Sequence, residues 1–191
     1  MRTLELVAYK RQDLGKKTAQ KLRAEGLVPC VLYGGKENVH FAVPMILFRD
    51  LAYTPEVAQV NLNVEGTEYQ CILQDLQFHP VSEIITHADF LELNEDKEVK
   101  MDVPVKFVGN SPGVQKGGKL VTKLRKAKVR ALPKDMPEAI QVDISKLELG
   151  KSVKVSEIKA ENFTILNNPL VTVATVSIPR ALKSAQAQAA E

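Results

Sequence analysis

His87-Ala88-Asp89 sets an imidazole and a carboxylate two residues apart. On a strand, residues i and i+2 point to the same side. With His79 close by in sequence, such a pair could serve a metal, general acid–base chemistry or directional hydrogen bonding. No clear third ligand or nucleophile completes a metal or hydrolytic site. No GxSxG, HExxH or paired-cysteine motif occurs in the chain. A structural, hydrogen-bonded histidine accounts for the pair, and so does RNA contact. In RNA, Asp accepts from a ribose 2′-hydroxyl or a base amino group and His donates. The pair alone leaves these readings open.

Three further stretches carry charge or glycine. Gly113-Val114-Gln115-Lys116-Gly117-Gly118-Lys119-Leu120 nearly matches the phosphate-binding pattern GxxxxGK[ST] and follows a strand-like segment. Leu120 replaces the hydroxyl that would hold Mg²⁺, and no strand ending in a Walker-B-type Asp is evident. A plain glycine loop is the simpler account. Lys123 to Arg130 has five basic residues in eight, either a solvated strand face or a polyanion contact. Near the N-terminus, Lys16, Lys17, Lys21 and Arg23 fill a broad arc of a short predicted helix. They precede Tyr33-Gly34-Gly35-Lys36, where glycine would let backbone approach a phosphate.

These groups sit in a chain of 191 residues, 45% hydrophobic and 26% charged, too apolar to be wholly disordered. The net charge of +3 conceals a pattern: residues 1–36 carry +5, residues 37–97 carry −9 and residues 98–191 carry +7. Clustered basic segments fit a polyanion partner. Mutual neutralisation within the fold is the plainer alternative. Aromatic residues make up 5% and Trp is absent, so base stacking on single strands cannot dominate. Structured RNA or duplex, read through backbone and shape, is the polyanion left. Cys30 and Cys71 are too few for a disulfide framework and lack metal-ligand spacing, which suits a reducing cytoplasm. No signal-peptide or membrane-spanning run is expected.

The elements that must position these residues are mostly strands. Alternation predicts strands over residues 3–9, 28–33, 39–43, 60–64, 69–73 and 87–93. Pro29 should place its strand at an edge or make it begin late. Gly34-Gly35 and Glu65-Gly66 predict tight turns. Short helices are expected over residues 16–25, stopped by Gly26, and 45–52, after Pro44. Asn94 to Glu98 is polar and reads as a linker. Beyond it, residues 99–107 give the cleanest alternation in the chain. Residues 140–144, 153–158 and 170–178 are further expected strands, as is 119–132, although Leu120, Val121, Leu124, Ala127 and Ala131 also fit helical spacing. The fold class is therefore mainly β with a few short helices. It has an N-terminal small barrel over 1–93, a linker over 94–98, a β-rich domain over 99–179 and a flexible tail over 180–191.

Several ordered blocks carry a resemblance. Arg11-Gln12-Asp13-Leu14-Gly15-Lys16, Leu22 to Pro29 and Val31 to Lys36 form the first. Gln74-Asp75-Leu76-Gln77 with His79-Pro80 and His87-Ala88-Asp89-Phe90 form the second. The third runs from Val103 to Gly109 through Gly113, Gly117-Gly118, Leu132-Pro133, Met136 to Glu138 and Val142 to Ser145 to Leu149-Gly150. Together they resemble the bacterial large-subunit ribosomal protein of the general-stress (CTC) family, in its long two-domain form.

The resemblance implies a non-enzymatic constituent of the large ribosomal subunit that binds 5S rRNA in the central protuberance. The N-terminal barrel would meet an irregular internal loop of that RNA, mainly from its minor-groove side. By motif position, Arg11, Lys16, Arg23, Tyr33, Gly34, Gly35, Lys36, Gln74, His79, His87 and Asp89 would lie at the RNA. Lys17 and Lys21 join them from the helix arc. The implied partners are 5S rRNA, neighbouring large-subunit proteins and rRNA, with no cofactor, metal, membrane or small-molecule substrate, in the cytoplasm on the ribosome. The loop from Gly113 to Lys119 becomes a family loop. Two departures stand out: residues 78–86 lack the basic residues many members carry and include Glu83, and the tail is shorter and less acidic. A protein-interaction β module and a nucleotide-binding enzyme using the Gly113 loop are the alternatives.

Overall fold

A computed structural model describes residues 2–158 and 162–179. The expected tail over 180–191 lies outside the described residues. The chain divides into two units. One runs up to Met101 and takes in Leu132–Met136. The other takes in Asp102–Ala131 and continues from Pro137.

The first unit is built on six strands: β1 (Arg2–Lys10), β2 (Leu27–Tyr33), β3 (Val39–Pro44), β4 (Ala58–Val64), β5 (Thr67–Phe78) and β6 (Ile85–Glu92). They close into a barrel in the order β1-β3-β2-β6-β5-β4, the parallel β1–β4 pairing from Arg2↔Ala58 to Ala8↔Val64 completing it. Closure leaves no edge, so β2 is interior. Pro29 is accommodated opposite Ala42 on β3, and the ladder to β6 starts one residue later, at Cys30↔Ala88. Contrary to the expectation from Pro29, the strand neither lies at an edge nor begins late; only its ladder to β6 waits until Cys30, because proline has no N–H to give the second neighbour.

Alternate residues point inward, as the period of two requires. Leu6, Ala8, Val28, Cys30, Leu32, Phe41, Val43, Phe48, Val60, Leu62, Val64, Cys71, Ile85, Ala88 and Phe90 form the interior cluster. Phe90 tilts against Phe41 and Phe48 at centroid distances of 5.6 and 6.2 Å. Glu65 and Gly66 both have positive φ, so the β4–β5 hairpin is the tight turn expected of Glu-Gly.

Helix α1 (Lys16–Ala24) ends before Gly26, which takes φ 77°. Its whole length is without a buried residue, and Ala19 and Leu22 are only half-buried. The second expected helix is split into a 3₁₀ turn, Met45–Phe48, and a single α-turn, α2 (Arg49–Ala52). The Met45 amide, which a helix leaves unpaired in its first turn, donates to the Gly26 carbonyl, so hairpin bonding runs up to the start of the 3₁₀ turn. The connection after β2 is also longer than the expected tight turn and spans residues 34–38.

The second unit has two sheets. β7 (Val99–Val108), β9 (Lys126–Ala131), β10 (Ile140–Asp143) and β12 (Thr164–Ile165) form one, in the order β10-β7-β9-β12. β8 (Lys119–Thr122), β11 (Ser152–Lys154) and β13 (Thr172–Ser177) form the other, as β11-β13-β8. The expected strand over 119–132 is therefore two strands in two sheets. Between them, the Lys123 and Leu124 amides both donate to the Val173 carbonyl, where the chain changes sheet. The strand expected over 153–158 stops at Lys154 and gives way to a 3₁₀ turn (Val155–Glu157). There Glu157 accepts from the Lys154 amide. Among the described residues, no helix is long and apolar enough to cross a membrane.

Candidate nucleic-acid interface

Register decides which side chains share the outer face of the barrel. Cys30, Leu32, Ala88 and Phe90 point inward, so Val31, Tyr33, His87, Asp89 and Leu91 point outward. Across the sheet, Asp89 lies opposite Val31 on β2 and Asp75 on β5, and His87 lies opposite Gln77. The outward face of β5–β6–β2 thus gathers Gln77, His87, Asp75, Asp89 and Tyr33. Gln74 sits at the register shift between Leu73 and Asp75, exposed on the bulge.

His87 and Asp89, on one face of β6 as their spacing implies, are bonded to each other. His87 Nδ1 donates to Asp89 Oδ1 at 2.7 Å, with both side chains about 30% exposed. That bond fixes the ring and leaves Nε2 as its remaining polar atom. Asp75 and Asp89 are directly opposite, an unfavourable like-charge cross-strand pair. The Tyr33 phenol is held above its ordinary range by burial first, then by Asp89 and Asp75. It therefore stays a protonated hydroxyl, able to donate. The centre of the face is a set of acceptors with a phenol and an imidazole, suited to hydroxyl and amino donors and not to phosphate.

Positive charge flanks this centre. The Arg11 amide donates to the His40 carbonyl, level with Val31, and Leu27 opens β2, so α1 returns along β2. Arg23 Nε donates to the Thr86 carbonyl at 2.9 Å, which ties the last turn of α1 to β6 beside His87. Lys16, Lys17 and Lys21 are exposed on the same helix. Lys21 makes only a 3.9 Å pair with Glu25. Arg11 is half-buried. Its Nη2 donates to the Asp13 carbonyl, and its Nε is buried without a hydrogen-bond partner.

Not every candidate joins the face. Gly34 has φ 96°, and a Cβ there would meet Leu91 Cδ1 at 2.6 Å. A Cβ on Gly35 would overlap the Glu92 carboxylate. Gly34 is called for by its positive φ beside Leu91 of β6, a reason within the barrel itself, whereas Gly35 meets only the movable end of the Glu92 side chain. Lys36 is exposed in the same connection. His79 lies in the β5–β6 connection, where its Nδ1 accepts from the Ser82 and Val81 amides at 3.2 and 3.4 Å. Sequence reading did not single out Asp75 and Gln77. The alternation around Leu76, which points inward opposite Ala88, is the signal that places both of them outside.

Among the described residues no group of three or more His, Cys, Asp or Glu could hold a metal. The Gly113 loop does not cradle a phosphate either. It contains a short helix, α3 (Pro112–Gln115), capped by Ser111, whose hydroxyl donates to the Leu147 carbonyl. The amides of Gly113, Gly117 and Gly118 donate to the carbonyls of Leu147, Val114 and Gly113. With those N–H groups spent internally, the feature that makes a P-loop bind is missing.

The chain matches two family models, the ribosomal L25p family over residues 6–90 and the C-terminal domain of ribosomal protein TL5 over residues 98–180. The chain belongs to the ribosomal L25p family. It is 54% identical over 191 residues to the large ribosomal subunit protein bL25 of Cytophaga hutchinsonii, covering all of both chains. It is 54% identical to that of Amoebophilus asiaticus, covering 99% of this chain and 96% of the relative. It is also 43% identical to that of Porphyromonas gingivalis over 97% of each. The bL25 proteins are structural and non-enzymatic, and this chain is a long-form member, a ribosomal protein of the large subunit.

Proposed function

We propose that this bL25 protein binds 5S rRNA and helps to build the central protuberance of the large subunit, on the ribosome in the cytoplasm. The observation that carries the reading is the outward face of β5–β6–β2. There the His87–Asp89 bond, Tyr33 and Asp75 form a hydrogen-bonding centre, with the cations of α1 alongside. Lys16, Lys17, Lys21 and Lys36 would neutralise phosphates, and Arg23 and Arg11 would hold the margin of the face. Tyr33, His87, Asp89 and Gln74 would contact sugar and base edges in a wide, shallow minor groove. Residues 1–93 would hold this interface, with 94–98 as the link to the β-rich domain over 99–179.

A footprint on 5S rRNA tests it. Hydroxyl-radical cleavage with the full chain bound should be suppressed in an irregular internal loop and its flanking minor groove. Protection spread evenly along the RNA, or absent, would count against the reading.

A further inference from the structure

The connection between β5 and β6 carries an apolar knob that the RNA-facing centre does not use. Val81 is 87% exposed, Phe78 45% and Ile84 42%. Large apolar side chains scattered singly on a surface need no explanation, but these three fall within seven residues at one hairpin end. The tip is also braced. The His79 amide donates to the Ile84 carbonyl at 2.8 Å and the Glu83 amide to the His79 carbonyl at 3.0 Å, while His79 Nδ1 accepts from Val81 and Ser82. Glu83 is held at φ 56°, an uncommon state for a residue with a side chain. A braced apolar tip is pre-organised for a partner and loses little freedom on docking.

Charge selects the partner. Between Phe78 and Thr86 there is no Lys or Arg, and Glu83 is the one acid. Arg23 reaches the Thr86 carbonyl through Nε and belongs to the margin of the barrel face. A phosphate backbone laid on the tip would meet the Glu83 carboxylate and no cation among the tip's own residues. We infer that the tip formed by Phe78, Val81 and Ile84 docks into an apolar depression, edged by Lys or Arg, on a neighbouring protein of the large subunit. The inference rests on the ribosomal reading above and adds a protein-facing surface to the RNA-facing one.

The test uses the full chain. A benzophenone amino acid at Val81 is irradiated in assembled large subunits, and the adduct is digested with ribonuclease or with protease. A cross-link to a ribosomal protein that survives ribonuclease supports the inference. A cross-link to rRNA, or none, overturns it. In parallel, the triple variant Phe78→Ser, Val81→Ser, Ile84→Ser is titrated against isolated 5S rRNA and against large subunits lacking this protein. The expected result is unchanged affinity for the RNA and a loss of about tenfold or more for the subunits. Unchanged affinity for the subunits, or an equal loss for both, overturns the inference. Failure of the unmodified chain to bind 5S rRNA would instead count against the reading on which it rests.

Discussion

Replacing Asp89 by Ala removes a negative charge from a face laid against a polyanion. Coulomb attraction alone makes that change favourable to binding. The geometry predicts the opposite sign. Asp89 Oδ1 holds the His87 ring through a 2.7 Å bond, and the other carboxylate oxygen is free to accept from a ribose hydroxyl or a base amino group. Both side chains keep about 30% of their exposure, so the full value of a buried charged bond does not apply. A net loss of about 1–2 kcal/mol, or about 5- to 30-fold in Kd, is expected for Asp89→Ala. Asp89→Asn keeps an oxygen for the ring N–H and should lose less. His87→Ala should cost a similar amount, and the double variant should cost less than the two losses added, because the pair acts as a unit. The assay is a filter-binding titration with 5S rRNA at several salt concentrations, paired with urea unfolding. Because Asp89 points outward, folding stability should change by no more than about 0.5 kcal/mol. Equal or tighter RNA binding by Asp89→Ala would refute the reasoning, as would additive losses in the double variant.

Further outcomes follow from the same structure. Lys21, exposed on α1 with only a distant Glu25, should behave as a phosphate contact. Lys21→Ala is expected to weaken 5S rRNA binding modestly and to lower the slope of log affinity against log salt by about 1, as read from titrations over a salt series. Phe90 packs between Phe41 and Phe48 in the barrel interior, so Phe90→Ala should cost about 3–5 kcal/mol in urea unfolding. Burial pushes the Cys71 thiol from about 9 up to about 12, with Glu92 adding to it, and burial raises Cys30 as well. In the native protein both thiols should react with a disulfide reagent at pH 8 far more slowly than in urea. The raised thiols favour the fold fully below about pH 9, and that contribution is lost as pH rises towards 12. Thermal melts should therefore fall over this alkaline window, and less steeply in Cys71→Ser than in the parent.

Much of the barrel was legible because its strands obey one rule. Leu4, Leu6 and Ala8 in β1 and Val60, Leu62 and Val64 in β4 alternate cleanly, and Glu65-Gly66 has the positive φ its sequence demands. The misreadings occur where tertiary bonding overrides local pattern. Pro29 looked like an edge residue because a lone strand shows no neighbour, yet closure supplies one that begins to pair just past it. The apolar run after Pro44 reads as one helix because so short a periodicity does not separate a 3₁₀ turn from an α-turn. Residues 119–132 read as one strand because the shift of apolar parity between Leu124 and Ala127, next to the point where the chain leaves one sheet for the other, also fits helical spacing and is ambiguous by itself. At the face, spacing alone puts His87 and Asp89 on one side of a strand, but the residues beside them across the sheet depend on register. Asp75 came into view only once β5 was aligned with β6. The glycines after Tyr33 show the converse. Their flexibility is readable, whereas the positive φ that calls for it at Gly34, beside Leu91, needs the fold.

The central claim is recognition of one RNA by one face of the barrel. Its most direct test is a competition titration of the full chain at physiological salt, with labelled 5S rRNA and an unlabelled RNA of equal length and unrelated fold. The account predicts that 5S rRNA binds at least about 100-fold more tightly, because a hydrogen-bonding centre adds discrimination to the charge that any RNA can satisfy. It also predicts that the Asp89→Ala, His87→Ala chain loses most of that ratio while keeping its affinity for the unrelated RNA. Equal affinity of the parent chain for both RNAs would contradict it.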